Sequence, residues 1–130
     1  MITKVFFVED HAAMRLLVKQ VLSSCDDINV PWVAESGRSA MQMLPDADPD
    51  VIVLDASLPD VGRKQLLRHF RSERPDVPVL ICSGHTDQRI VDEMIEAGAA
   101  GYVVKGTTKE IRDAVRAVAN GSSYVSPMLS

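Results

Sequence analysis

Four consecutive apolar residues, Val51-Ile52-Val53-Leu54, three of them β-branched, run straight into the carboxylate of Asp55. An unbroken apolar run of this length reads as a strand buried on both faces, which a parallel sheet covered by helices demands. Pro59, four residues on, keeps the chain from continuing as strand. Asp55 then stands at the carboxyl end of a buried parallel strand, where open α/β sheets bind their ligands. Asp is also favoured in turns and as a helix N-cap, so Asp55 alone leaves both readings open.

The same grammar recurs along the chain. Val5-Phe6-Phe7-Val8 ends on Glu9-Asp10, Val79-Leu80-Ile81-Cys82 on Ser83-Gly84, and Tyr102-Val103-Val104 on Lys105. Ile28 to Ala34 is a further strand, and Pro31 within it cannot donate to a ladder, which places it at a sheet edge. Amphipathic stripes lie between the strands: Met14, Leu17, Val18 and Val21; Ala40, Met41 and Leu44 after a Ser36 cap; Leu66, Leu67 and Phe70; Ile90, Val91, Met94 and Ile95; Ile111, Ala114, Val115 and Val118. Thr86 or Asp87 is expected to open the fourth helix, Gly98 to close it, Thr107 or Thr108 to cap the fifth, and Asn120-Gly121 to stop it. Five strand–helix units predict a flavodoxin-like, doubly wound α/β sandwich with a five-stranded parallel sheet of order 2-1-3-4-5. The 130 residues suffice for one domain.

A net charge of −4 argues against direct nucleic-acid binding by this segment, since phosphate backbones repel it. Cys25 and Cys82 form no metal or redox pattern and read as reduced thiols. No segment has the length of a signal peptide or a membrane span, so a cytoplasmic location is expected.

In that sheet order Glu9, Asp10 and Asp55 converge on the crevice between strands 1 and 3. Two carboxylates about 4 Å apart repel by roughly 4 kcal/mol at an effective dielectric near 20. A cluster of three persists if a cation sits in it or one member is protonated. Oxygen donors select a hard ion, Mg²⁺ in a cell, which commonly takes a phosphate oxygen as a further ligand. Ser83 offers a hydroxyl and Lys105 a mobile positive charge for phosphoryl oxygens. An Asp carboxylate in such a site can act as a nucleophile toward phosphorus. Taken singly, Lys105 could instead pair with Asp55 structurally and Ser83 could cap a turn.

Together Glu9-Asp10, Asp55 with Leu58-Pro59, Ser83-Gly84 and Gly101-Tyr102 before Lys105 make the whole chain resemble the receiver domain of two-component response regulators. The resemblance implies that Asp55 is the phosphoacceptor and that Asp10, Asp55 and the Ser57 backbone carbonyl bind Mg²⁺, with Glu9 acting mainly through water. It implies that Ser83 and Lys105 hold phosphoryl oxygens and that Tyr102 moves inward with Ser83 as a switch. The partner would be a sensor histidine kinase, with homodimerisation on phosphorylation and no turnover of an external substrate. Gly121 to Pro127 is similar to the segment preceding the linker in NarL/LuxR-type transcriptional regulators, whose DNA-binding domain is C-terminal. On that reading residues 1–121 are the receiver and 122–130 a tail toward an output domain; a stand-alone receiver is the other possibility. The output face would lie around His85 to Ile95 and Tyr102 to Val118, with His85 either edging the site or a plain loop residue.

Two positions depart from the family pattern. Gly62 follows Asp55 by seven residues where eight is usual, and Gly106 follows Lys105 where proline is common. A degenerate, phosphorylation-independent binding module is therefore a competing expectation. An Asp-nucleophile phosphohydrolase would need a second acid at the position of Ser57.

Overall fold

The computed structural model describes residues 2–84, 86–105 and 108–127, the side chain of Thr108 excepted. His85, Gly106 and Thr107, and with them the expectations placed on them, lie outside the described residues. Strands β1 (Thr3–Val8), β2 (Ile28–Ala34), β3 (Val51–Asp55), β4 (Val79–Ser83), β5 (Gly101–Val104) and β6 (Tyr124–Val125) alternate with helices α1 (Ala12–Ser23), α2 (Gly37–Met43), α3 (Arg63–Glu73), α4 (Gln88–Glu96) and α5 (Thr108–Ala119), β6 following α5 directly. All the pairings are parallel, in the order β2-β1-β3-β4-β5-β6.

The expected five-stranded sheet thus gains a sixth strand. Tyr124–Val125 pairs with Gly101 and Tyr102, so β5 is an inner strand and β6 the edge. Two residues after a Gly-Ser-Ser turn carry no periodic signal of their own. Their strand exists because the edge of β5 presents unpaired backbone groups to it.

The apolar runs alternate between two cores. Phe6, Val8, Ile52, Leu54, Ile81 and Tyr102 face α2, α3 and α4, while Val5, Phe7, Val51, Val53, Leu80, Cys82 and Val103 face α1 and α5. Edge placement of the Pro31 strand holds. The register of β1 against β2 advances from Lys4↔Asn29 to Phe6↔Trp32, so β2 carries one extra residue at Val30-Pro31. A bulge at an edge is where a residue without an N–H does least harm.

Ser36 caps α2 with a reciprocal Ser36–Ser39 capping box, and Asp87 caps α4 through the Arg89 N–H. Gly98, at φ 110°, ends α4. The stripes of α3 and α5 are buried as expected, but two others shift. On α1, Leu17 is 46% exposed and Leu22 takes its place in the core; on α4, Ile95 faces outward. Cys25 and Cys82 are free thiols, with Cys82 buried.

The loop after Asp55 is tied to a neighbouring helix. Asp60 Oδ1 and Oδ2 accept from the Gly37 and Arg38 N–H groups, 3.0 Å each. Val61 is buried, and Gly62 (φ −59°) is simply the residue before α3. The short loop is thereby anchored at the start of α2.

Arg74, at the end of α3, reaches the turn after α2. Its Nη2 donates to the Leu44 carbonyl at 2.6 Å and the Ala47 carbonyl at 2.8 Å. Arg74→Ala removes the fork that joins α3 to this turn. The expected loss is about 1–3 kcal/mol, or a Tm lower by roughly 4–10 °C in thermal melts. Arg74→Lys, with a point charge in place of the planar fork, should recover only part of it.

Candidate functional site

The site is assembled by the carboxyl ends of β1, β3, β4 and β5. Buried apolar residues precede each end, so the strands cannot slide without exposing core, and their terminal side chains are held in place. Glu9, Asp55 and Ser83 are buried at 0%, 1% and 0% exposure. Burying acids without a partner is costly, and here the partner is Lys105. Its Nζ lies 2.7 Å from Glu9 Oε1 and 3.3 Å from Asp55 Oδ2.

One cation facing two buried carboxylates leaves a negative charge over, and a shared proton absorbs it. Burial, then the hydrogen bond and charge of Glu9, push the Asp55 carboxyl up to about 7, against the Ser57 N–H and Lys105. Burial also works upward on Glu9 but is outweighed by hydrogen bonds from Asp55 and Lys105, which bring it down to about 2. Asp55 is therefore the raised member of the pair and Glu9 the lowered one. The pair titrates as a unit.

Asp55 Oδ1 accepts the Ser57 N–H at 2.9 Å, which fixes the carboxyl plane. The expected role of Ser57 concerned its carbonyl; the contact made here is through its N–H. Asp10, on the rim, is partly exposed. Ser83 ends β4, and its carbonyl accepts the Lys105 N–H at 2.8 Å. Tyr102 is fully buried, which pushes its phenol up, and the neighbouring Ser83 side chain works against that shift. Of the expected residues, Glu9, Asp55 and Lys105 are thus in one contact set, Asp10 adjoins it, and Ser83 and Tyr102 form a second pair beside it.

Two residues join that the sequence did not single out. His11 Nδ1 lies 3.2 Å from Asp10 Oδ1 and 3.3 Å from Glu9 Oε2. Arg15 Nη1 donates to the Glu9 and Asp10 carbonyls, 3.0 Å each, clamping the backbone of the acid pair. Arg15 sits one turn into α1, and a cation there after an acid pair was the available signal.

One ligand atom each from Glu9, Asp10, His11 and Asp55 lie within 4.8 Å of one another. Three carboxylates and at most one nitrogen suit a hard divalent ion. The residues fit an ion of the Mg²⁺ class.

The doubly wound parallel α/β sandwich carries an acid cluster and a lysine at the carboxyl ends of its strands, where folds of this class place their ligand sites. Comparison with known proteins makes the assignment specific: residues 5–116 match the response regulator receiver domain family, and the chain belongs to it. The chain is 38% identical to the DNA-binding transcriptional activator DevR/DosR of Mycobacterium tuberculosis, over 94% of this chain and 57% of that protein. It is 30% identical to the transcriptional regulatory protein DegU of Brevibacillus brevis, over 98% of this chain and 54% of that protein. The chain spans little more than half the length of these curated relatives. Among solved structures, a two-component response regulator of the LuxR family from Aurantimonas sp. SI85-9A1 superposes with a TM-score of 0.93 at 26% identity, covering 99% of this chain and 93% of that one. The signal receiver domain of the putative response regulator NarL from Mycobacterium tuberculosis gives 0.85 at 31% identity, covering 92% and 98%. Among the described residues, no helix is long and apolar enough to cross a membrane.

Proposed function

We propose that this receiver accepts a phosphoryl group on Asp55 from a phosphohistidine of a sensor kinase and thereby switches a partner surface. The observation that carries this reading is the buried Asp55 carboxyl held between the Ser57 N–H and Lys105. A carboxylate fixed at both oxygens is positioned for attack, and a positioned nucleophile gains most of what phosphoryl transfer requires.

On this reading Glu9, Asp10, Asp55 and the Ser57 carbonyl hold Mg²⁺. Bound there, the ion would supply charge neutralisation for the phosphoryl oxygens. Ionised Asp55 forms the new bond to phosphorus through Oδ2 as the P–N bond of the donor breaks, and the donor ring, already protonated on its other nitrogen, leaves as neutral imidazole. Lys105 moves from its carboxylates to a phosphoryl oxygen, and Ser83 donates its hydroxyl to another. Ser83 and Tyr102 then shift together, because the two buried side chains are neighbours on adjacent strands. The output is regulation of transcription, supported by the names of the relatives. DNA contact would belong to a further domain, and phosphorylation would favour a homodimer.

The test is intact-protein mass after incubation with acetyl phosphate, in Mg²⁺ and in EDTA, with the same samples run in sedimentation velocity. A single phosphate adduct is expected that needs Mg²⁺ and is absent in Asp55→Asn. A folded wild type that takes up no phosphate would leave the binding-module reading in its place. A sedimentation coefficient unchanged by phosphorylation would remove the dimer.

A further inference from the structure

The sixth strand is docked on the element that carries the switch tyrosine, and β5 is built to receive it. Ser126 N–H donates to the Tyr102 carbonyl at 2.9 Å, and Tyr124 N–H to the Ala100 carbonyl at 3.3 Å. Between them lies Gly101. A Cβ there would fall 2.5 Å from the Tyr124 carbonyl oxygen and 3.3 Å from its carbon, both backbone atoms that cannot swing away. Gly101 is therefore a slot, and Tyr124 fills it.

The dock is also weak enough to open. It is two residues long, Val125 is 47% exposed, and the Ser126 hydroxyl is buried with no partner among the described residues. A buried hydroxyl without a partner subtracts from the stability of the state that buries it. Short edge pairings of this kind open far more readily than a core strand.

We propose that Tyr124–Ser126 is a releasable strap that reads the state of the Ser83–Tyr102 pair and passes it to the chain after Pro127. Tyr102 is engaged on both sides: its buried side chain neighbours Ser83, and its carbonyl accepts from the strap. Moving β5 or re-aiming Tyr102 shifts the carbonyl that Ser126 holds. Occupation of the Asp55 site that fixes Ser83 and Tyr102 inward also fixes the strap. By linkage, a docked strap favours the inward pair to the same extent. The strap immediately precedes Pro127, so its release changes how far the following segment is held to the receiver. The ligand-driven half of this proposal rests on Asp55 being the phosphoacceptor; the coupling between strap and site does not.

Amide hydrogen exchange on the full chain tests both halves. Ser126→Pro deletes the N–H that reaches Tyr102 and leaves Val125 extended, as a residue before proline prefers. Without ligand, this variant should exchange the Tyr124 amide about tenfold faster than wild type, and with it the Lys105 amide, which is bonded to the Ser83 carbonyl at the far end of β5. Ser126→Ala keeps the N–H, removes the orphan hydroxyl and should slow both. Gly101→Ala, checked for folding by circular dichroism, should release Tyr124 as Ser126→Pro does. A Tyr124 amide freed while Lys105 is unchanged would make the strand a passive edge and overturn the proposal. A Tyr124 amide that neither variant frees would overturn it as well. With Mg²⁺ and beryllofluoride, wild-type Tyr124 and Ser126 amides should slow about fivefold or more; bound protein with no change overturns the proposal. If fluorine NMR shows that beryllofluoride does not bind, the phosphoacceptor reading falls and the ligand-free comparison alone decides the strap.

Discussion

In EDTA at pH 8, Asp55→Asn should unfold at a higher temperature than the wild type. The wild-type cluster buries Glu9, Asp55 and Lys105 together, so an ionised Asp55 leaves an extra negative charge out of water. Its carboxyl is raised from 3.8 to about 7 in the fold. A raised carboxyl contributes stability that is fully present below its unfolded value and is lost as pH rises through the folded one. The wild type should therefore weaken between about pH 4 and pH 7 on account of Asp55. Glu9 runs the other way: lowered to about 2, it stabilises above about 4.5 and is lost only as pH falls toward 2. Raising a carboxyl that far corresponds to roughly 4 kcal/mol at most, and relaxation of the site brings the expected gain of Asp55→Asn at pH 8 to about 2–4 kcal/mol. The amide introduced by Asp55→Asn would still accept from the Ser57 N–H and leave Glu9 paired with Lys105. At pH 5.5 the gap should fall to about half, since more of the wild type then holds its proton. Mg²⁺ at pH 8 should raise the wild type far more than the variant. Thermal melts in EDTA at the two pH values decide the matter. A wild type at least as stable as the variant at pH 8 would show that no such penalty is stored at Asp55.

The candidate site is legible in the chain because of the strands that carry it. Strands that must be buried on both faces are written as unbroken apolar runs, and a charged or hydroxyl residue that ends such a run has few ordinary reasons to be there. Glu9, Asp10, Asp55, Ser83 and Lys105 are candidates on that ground, and the sheet order puts Glu9, Asp55 and Lys105 in contact with Asp10 beside them. The helices were read less evenly. In α1, Leu16, Leu17, Val18, Val21 and Leu22 offer more than one apolar stripe, and the choice is made by packing onto β1 and β2: Val18 and Leu22 are buried, while Leu16 and Leu17 are not. Ile95, expected inward, is exposed for the same reason. The β6 strand depends on an edge about 20 residues away in sequence and on a missing Cβ at Gly101, which no local pattern reports. His11 and Arg15 enter through the turn geometry after β1, which periodicity does not encode.

Lys105→Met should cause the larger loss, and in two separable ways. The Lys105 side chain is 16% exposed and its ammonium touches both buried carboxylates. Removing one partner of a buried ionic set costs on the order of 3–5 kcal/mol; here Glu9 and Asp55 can take up a proton between them, so about 3 kcal/mol is expected in EDTA at pH 8. Mg²⁺ should restore much of that stability by replacing the missing charge. It should not restore the reaction. A preorganised cationic contact to the transferred group contributes about 10²–10³ in rate, and a methionine offers no charge at that point. Time courses of the acetyl phosphate adduct by intact mass, in saturating Mg²⁺, should therefore remain slowed at least about a hundredfold in a protein whose melt is near wild type. The double variant Lys105→Met with Asp55→Asn separates the causes. If the instability is charge left unpaired, adding Asp55→Asn should recover most of it, a strongly non-additive pair. If the lysine stem is instead needed for packing, the two effects should add. A Lys105→Met protein that takes up phosphate at the wild-type rate would reduce Lys105 to a structural counter-ion and leave the phosphoryl oxygens to Ser83 and the metal.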